Sequence, residues 1–126
     1  MAVFEIATDR ELDAVRGWYR ARGLAVPVRE WFGHGFWVPG VAACFLYLTD
    51  SRRAYVEDLT TNPAESAAVR HVALLELGER LEQEARKAGV RYLVGWTQEE
   101  DVAERGRSGG YHPIGVFHGF AKILED

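Results

Sequence analysis

Ala54-Tyr55-Val56-Glu57-Asp58-Leu59-Thr60-Thr61-Asn62-Pro63 leads into an amphipathic run that closes at Lys87-Ala88-Gly89. An apolar, β-branched segment, a turn signal and a long periodic segment predict a strand feeding a helix. Asn62 is the expected cap, with Pro63 at the first helical position and Glu65 at the third. At 100° per residue, Ala67, His71, Leu74, Gly78, Leu81, Ala85 and Ala88 fall on one face. Glu76, Glu79, Arg80, Gln83, Arg86 and Lys87 fall opposite. That geometry predicts a helix over 63–88 lying on a sheet. Gly78 on the apolar face predicts a close approach to a strand, and His71 is expected as a core histidine. The junction of strand and helix N-terminus is also a place where anions bind.

The segments on either side fit one architecture. Residues 2–7 alternate as a strand. Thr8 to Glu11 forms a capping box opening a helix whose Leu12, Val15 and Tyr19 share a face, with Trp18 beside them and Gly23 as its stop. Residues 41–49 are strongly apolar, and 50–53 read as a turn before the strand 54–61, giving an antiparallel hairpin. Residues 90–97 read as a buried strand parallel to 54–61, since a helix joins them. A short helix is expected from Gln98 to Arg107 with Thr97 as cap. Residues 111–124 are expected as one or two closing strands.

Composition narrows the function classes. The 126 residues suit one domain spanning 1–126, and 48% hydrophobic content opposes disorder. A net charge of −4 with interspersed signs and no basic stripe argues against nucleic acid. No apolar run approaches a membrane span and the N-terminus is no signal peptide, so a soluble cytoplasmic protein is expected. The single cysteine, Cys44, excludes an internal disulfide and reads as a small core residue. No set of ligands suggests a metal. The aromatic run Trp31-Phe32-Gly33-His34-Gly35-Phe36-Trp37 reads first as rings closing one end of a core and second as the wall of an acceptor pocket.

Three local patterns resemble the GNAT (GCN5-related N-acetyltransferase) family: Leu59-Thr60-Thr61-Asn62-Pro63 ending a strand, Ala85-Arg86-Lys87-Ala88-Gly89 ending a long helix, and Gly110-Tyr111 leading to Phe120-Ala121-Lys122-Ile123-Leu124. The resemblance spans roughly residues 2–124. It implies an α/β (α+β) fold with a mixed, mostly antiparallel central sheet flanked by helices, in the order β-α-(α)-β-β-β-α-β-α-β. It also implies acetyl-CoA as cofactor, held by Leu59 and Thr61 on the strand and by Val69, Arg70 and His71 at the loop. Glu57 would be the general base, with Asp58 on the opposite face by the period of two. The family's phosphate loop, Gln/Arg-x-x-Gly-x-Gly/Ala, aligns with Ser66-Ala67-Ala68-Val69-Arg70-His71 and lacks its glycines. Its frequent acid tyrosine aligns with Gly106, beside Ser108. The expectation is therefore a non-catalytic or atypical binding module with a protein partner or a second copy of itself. The alternative is an acetyl-CoA-dependent N-acyltransferase acting on an amine, and a third reading is a small-molecule binder using the rings of 31–37.

Overall fold

The computed structural model describes residues 1–97, 99–115 and 117–124. Two compact units divide the chain, 1–96 and 97–126.

The first unit is a five-stranded sheet in the order β1-β2-β3-β4-β5: Phe4–Glu5, His34–Val38, Ala42–Leu48, Arg53–Thr61 and Tyr92–Val94. The first four strands pair antiparallel and β5 runs parallel to β4. This is the mixed, mostly antiparallel sheet expected. Helix α1, Asp9–Ala21, covers one face, and α2, Ala67–Lys87, covers the other.

Alternation along β3 builds both cores. Ala42, Cys44 and Leu46 join Phe36, Val38, Ala54 and the α2 residues Ala73, Leu77, Leu81 and Ala85. Ala43 and Phe45 point the other way, toward Val15, Trp18 and Trp37. The run 36–38 is thus split between two faces of one sheet. His34 pairs with Glu5, and Phe32 stacks 4.7 Å from Phe45. Of the aromatic run, Phe36 and Trp37 are core residues as expected; Trp31 stays exposed in a 3₁₀ turn at Arg29–Trp31.

Helix α1 starts as the sequence dictates. The Thr8 hydroxyl accepts from Glu11 N–H at 3.2 Å, and the Glu11 carboxylate accepts from Thr8 N–H at 3.0 Å. Gly23, at φ +70°, ends it. Helix α2 departs from expectation in its start and its face. Asn62 builds a turn: its side chain accepts from Ala64 N–H at 3.0 Å and its carbonyl from Glu65 N–H at 3.1 Å. Pro63 then serves that turn, and Ser66 is the cap, accepting from Val69 N–H at 3.2 Å. The buried stripe is Ala73, Leu77, Leu81 and Ala85. His71 is therefore exposed rather than a core residue, and a Cβ added at Gly78 would meet nothing within 4 Å.

The second unit contains α3, Glu100–Ser108, with Glu99 at the N-cap position but making no side-chain cap bond. Thr97 accepts instead from Glu99 N–H at 3.0 Å, closing a turn ahead of the helix. Gln98, expected to begin this helix, lies outside the described residues, as does Val116. The closing strand is not formed among the described residues of 111–124. Pro113 lacks a ladder donor, Gly115 sits at φ +149°, and Phe120, Ile123 and Leu124 are exposed. No described helix is long and apolar enough to cross a membrane.

Candidate functional site

The site grows from one irregularity in β4. Ala43 pairs with Thr60 and Phe45 with Glu57, so three steps along β4 match two along β3. The extra residue is absorbed at Asp58, which takes φ +59°, a left-handed conformation uncommon for a side chain other than glycine and most tolerated by Asn and Asp.

The bulge re-aims the carboxylates. Glu57 lies opposite Phe45, on the face covered by α1. Asp58 reaches the same side, because its Oδ2 accepts from the Tyr47 hydroxyl and its Oδ1 from the Trp31 indole N–H at 3.4 Å. Asp58 is thus not on the face opposite Glu57: the inserted residue breaks the period of two. Desolvation, and after it the nearby Asp58 charge, push the half-buried Glu57 carboxyl above its ordinary range, against a hydrogen bond from Trp96. Among the described residues neither carboxylate has an ion-pair partner. Tyr55 stacks 5.2 Å from Trp96, beside the same stretch of strand.

At the same point β4 and β5 part. Their pairing ends at Tyr55 with Val94, and Gly95 lies so close to the Val56 carbonyl that a Cβ there would sit 3.2 Å from the oxygen. From Glu57 to Thr61, β4 runs on with no described β5 residue paired to it. An open strand edge of this kind offers backbone N–H and C=O groups to an extended amide-bearing ligand. Leu59 is 37% exposed on this stretch. Thr61, at its end, accepts from Arg22 through both its carbonyl and, at 2.7 Å, its hydroxyl.

Beyond the turn stands the N-terminus of α2. The Ala67 and Ala68 N–H groups have no intrahelical acceptor, and both side chains are small and exposed. Val69 turns its side chain toward the core, so it does not crowd the approach as its alignment with a glycine suggested. Arg70 is half-buried in the first turn, its N–H bonded to the Ser66 carbonyl at 3.0 Å, and His71 is exposed one residue on. The donor set of an open strand edge, two free N–H groups and a guanidinium fits a ligand with an amide arm and a phosphate.

The structure therefore brings Glu57, Leu59, Thr61, Val69, Arg70 and His71 onto one β4–turn–α2 segment. Two neighbours escaped the sequence reading. Asp58 alternates with Glu57 in the sequence, and no sequence signal marks the bulge that brings both to one face. Tyr47 lies in an apolar strand, two residues from Phe45, and nothing in that pattern announces its bond to Asp58.

Other features serve structure. Cys44 is fully buried, its thiol donates to the Glu57 carbonyl at 3.5 Å, and desolvation pushes it up to about 12, which suits a core residue. A shallow concavity of about 390 Å³ is lined by Arg16, Val28, Arg29 and Glu30; it holds no chemistry of its own, since Arg16 and Arg29 both engage Asp13. Among the described residues no group of three His, Cys, Asp or Glu side chains could hold a metal.

No protein-family model matches the sequence, and no curated protein does. Solved structures do match. A putative acetyltransferase from Agrobacterium tumefaciens str. C58 is 14% identical, with a TM-score of 0.72 over 97% of this chain and 100% of that one. An aminoglycoside acetyltransferase from an uncultured soil metagenomic sample, solved with sisomicin, is 13% identical, with a TM-score of 0.71 over 98% and 96%. A GNAT family acetyltransferase from Streptococcus pneumoniae TIGR4 is 14% identical, with a TM-score of 0.60 over 99% and 97%. The chain has the GNAT fold.

Proposed function

We propose that the chain is an acyl-CoA-dependent N-acyltransferase of the GNAT type, acting on an amine, with Glu57 as general base. The observation that carries this reading is the bulge at Asp58. It sets Glu57, a half-buried carboxylate with a raised proton affinity, beside the opening between β4 and β5. A bound acyl-CoA supplies an activated thioester, whose C–S bond is exchanged for a C–N bond to the acceptor. Leu59 and Thr61 would line its amide arm, and the α2 N-terminus with Arg70 would hold its phosphates, flanked by Val69 and His71.

An amine reaches the protein as an ammonium ion. Glu57 accepts its proton, directly or through one water, and so frees the nitrogen lone pair. A carboxyl with proton affinity above the ordinary range is better matched to that task near neutral pH than an unperturbed one. The solved relative that binds sisomicin, itself a polyamine, is a precedent for cationic acceptors on this fold.

A second reading has one observation in its favour. The Ser66 hydroxyl already occupies Val69 N–H, a donor that a phosphate would otherwise use. A module that binds a partner without turnover follows if that cap never yields. Calorimetric titration with acetyl-CoA separates the two. Saturable binding with a Kd in the micromolar range is expected, and absence of heat up to millimolar ligand would leave only the second reading. At 100 times Kd the ligand should raise stability by about 2.7 kcal/mol, visible in a thermal melt.

A further inference from the structure

Arg22 ends α1, and its side chain crosses to the last residue of β4. Two of its N–H groups serve the Thr61 carbonyl and hydroxyl. A guanidinium has five, so three stay available, and the Thr61 acceptors are neutral and leave the charge uncompensated. Arg22 is exposed, and among the described residues it has no carboxylate within ion-pair distance. The same holds for Arg70, on the other side of the turn 62–66 and close enough for its charge to act on Arg22; partial burial first, and that repulsion second, weaken the hold of Arg22 on its proton. Glu65, the carboxylate of this turn, pairs with neither.

A clamp between α1 and β4 needs a hydrogen-bond donor but no second cation. Among the described residues no carboxylate forms an ion pair with either of these two like charges flanking one turn. They stand where β4 ends and the free N–H groups of α2 begin. The arginine of the family-like loop is replaced here by Ser66, so the positive charge missing from the loop is supplied from another element of the fold.

We infer that Arg22 is a phosphate-binding residue, which with Arg70 grips the pyrophosphate of the acyl-CoA; this rests on the acyl-CoA reading given above. Thr61 fixes the plane of the Arg22 guanidinium, so that little side-chain freedom is lost on binding.

The test is calorimetric titration of the full chain and its Arg22→Gln and Arg22→Lys variants with CoA, dephospho-CoA and pantetheine at one ionic strength. The glutamine variant should bind CoA and dephospho-CoA at least about tenfold more weakly. Pantetheine, which lacks the phosphates, should bind both proteins alike, and the lysine variant should recover part of the loss. Equal CoA binding by wild type and Arg22→Gln overturns the inference while leaving the acyltransferase reading intact. An equal loss for pantetheine overturns it too, since a fold-level clamp would weaken every ligand. Sensitivity seen with CoA but absent with dephospho-CoA would assign Arg22 to a different phosphate and likewise overturn it. If the wild type binds none of the three, the acyl-CoA reading fails, and the inference fails with it.

Discussion

Asp58 at φ +59° shows how one residue can redirect two. Alternation sends neighbours in a strand to opposite faces, and Glu57 and Asp58 obey that rule on paper. The inserted residue cancels it, and both carboxylates meet the α1 side of the sheet. Desolvation first, and the Asp58 charge second, raise the Glu57 carboxyl from its usual 4.5. The native state therefore holds the Glu57 proton to higher pH than the unfolded chain does. Stability contributed by this group falls as pH rises from the unfolded value through the folded one. Glu57→Gln is expected to melt no lower than wild type at pH 7, with the difference reversing or closing below pH 4. In the same variant, kcat for amine acylation should drop while CoA affinity is kept, and the acid limb of the wild-type kcat/KM profile should disappear. Unchanged turnover in Glu57→Gln would remove it as the base. The place of Glu57 on the strand before the turn was legible, because the run 54–61 reads as a strand. The Asp58 bulge was not, because no residue in 54–61 is a glycine that would announce it.

At the scale of elements, the capping box of α1 and the turn of the hairpin are legible, while the starts of α2 and α3 and the face of α2 are not. The capping box at Thr8, the hairpin and the parallel return to β5 all follow from local pattern. The rotation of α2 does not. Val72, Ala73, Leu74 and Leu75 are apolar in succession, so two adjacent faces satisfy a helical period equally. The choice falls to the sheet, which receives Ala73 and Leu77 and leaves Leu75 and Gly78 outside. Two glycines test this in opposite directions. A Cβ at Gly35 would stand 2.5 Å from the Phe45 ring and 2.9 Å from Ile6 Cδ1. Gly35→Ala should therefore cost about 1–3 kcal/mol, as overpacking does. Gly78 lies in open space on a helix, so Gly78→Ala should gain ~1 kcal/mol of helix propensity and raise the melting temperature. A loss of stability in Gly78→Ala would mean that α2 presents the face its periodicity first suggested.

For the molecule as a whole, both hydrophobic clusters belong to residues 1–96, with β3 facing one cluster on each side of the sheet. The antiparallel hairpin and its parallel neighbour were legible because each needs only short-range signals. The closing strand expected over 111–124 is not formed among the described residues there, where Pro113 lacks a ladder donor and Gly115 takes a positive φ. Cys44 gives this arrangement a consequence for measurement. It is the chain's one cysteine, 2% exposed, with its thiol raised to about 12. In the unfolded chain the same thiol returns toward about 8.5 and becomes reactive. A disulfide reagent at pH 8 can then modify the protein only when the centre of the sheet opens. Its reaction rate is a clock for that opening, built into the wild-type chain and needing no label. Labelling should be slower by orders of magnitude than in denaturant, and slower again with saturating acetyl-CoA. A rate equal to that of a free thiol would show that β3 is not closed in solution.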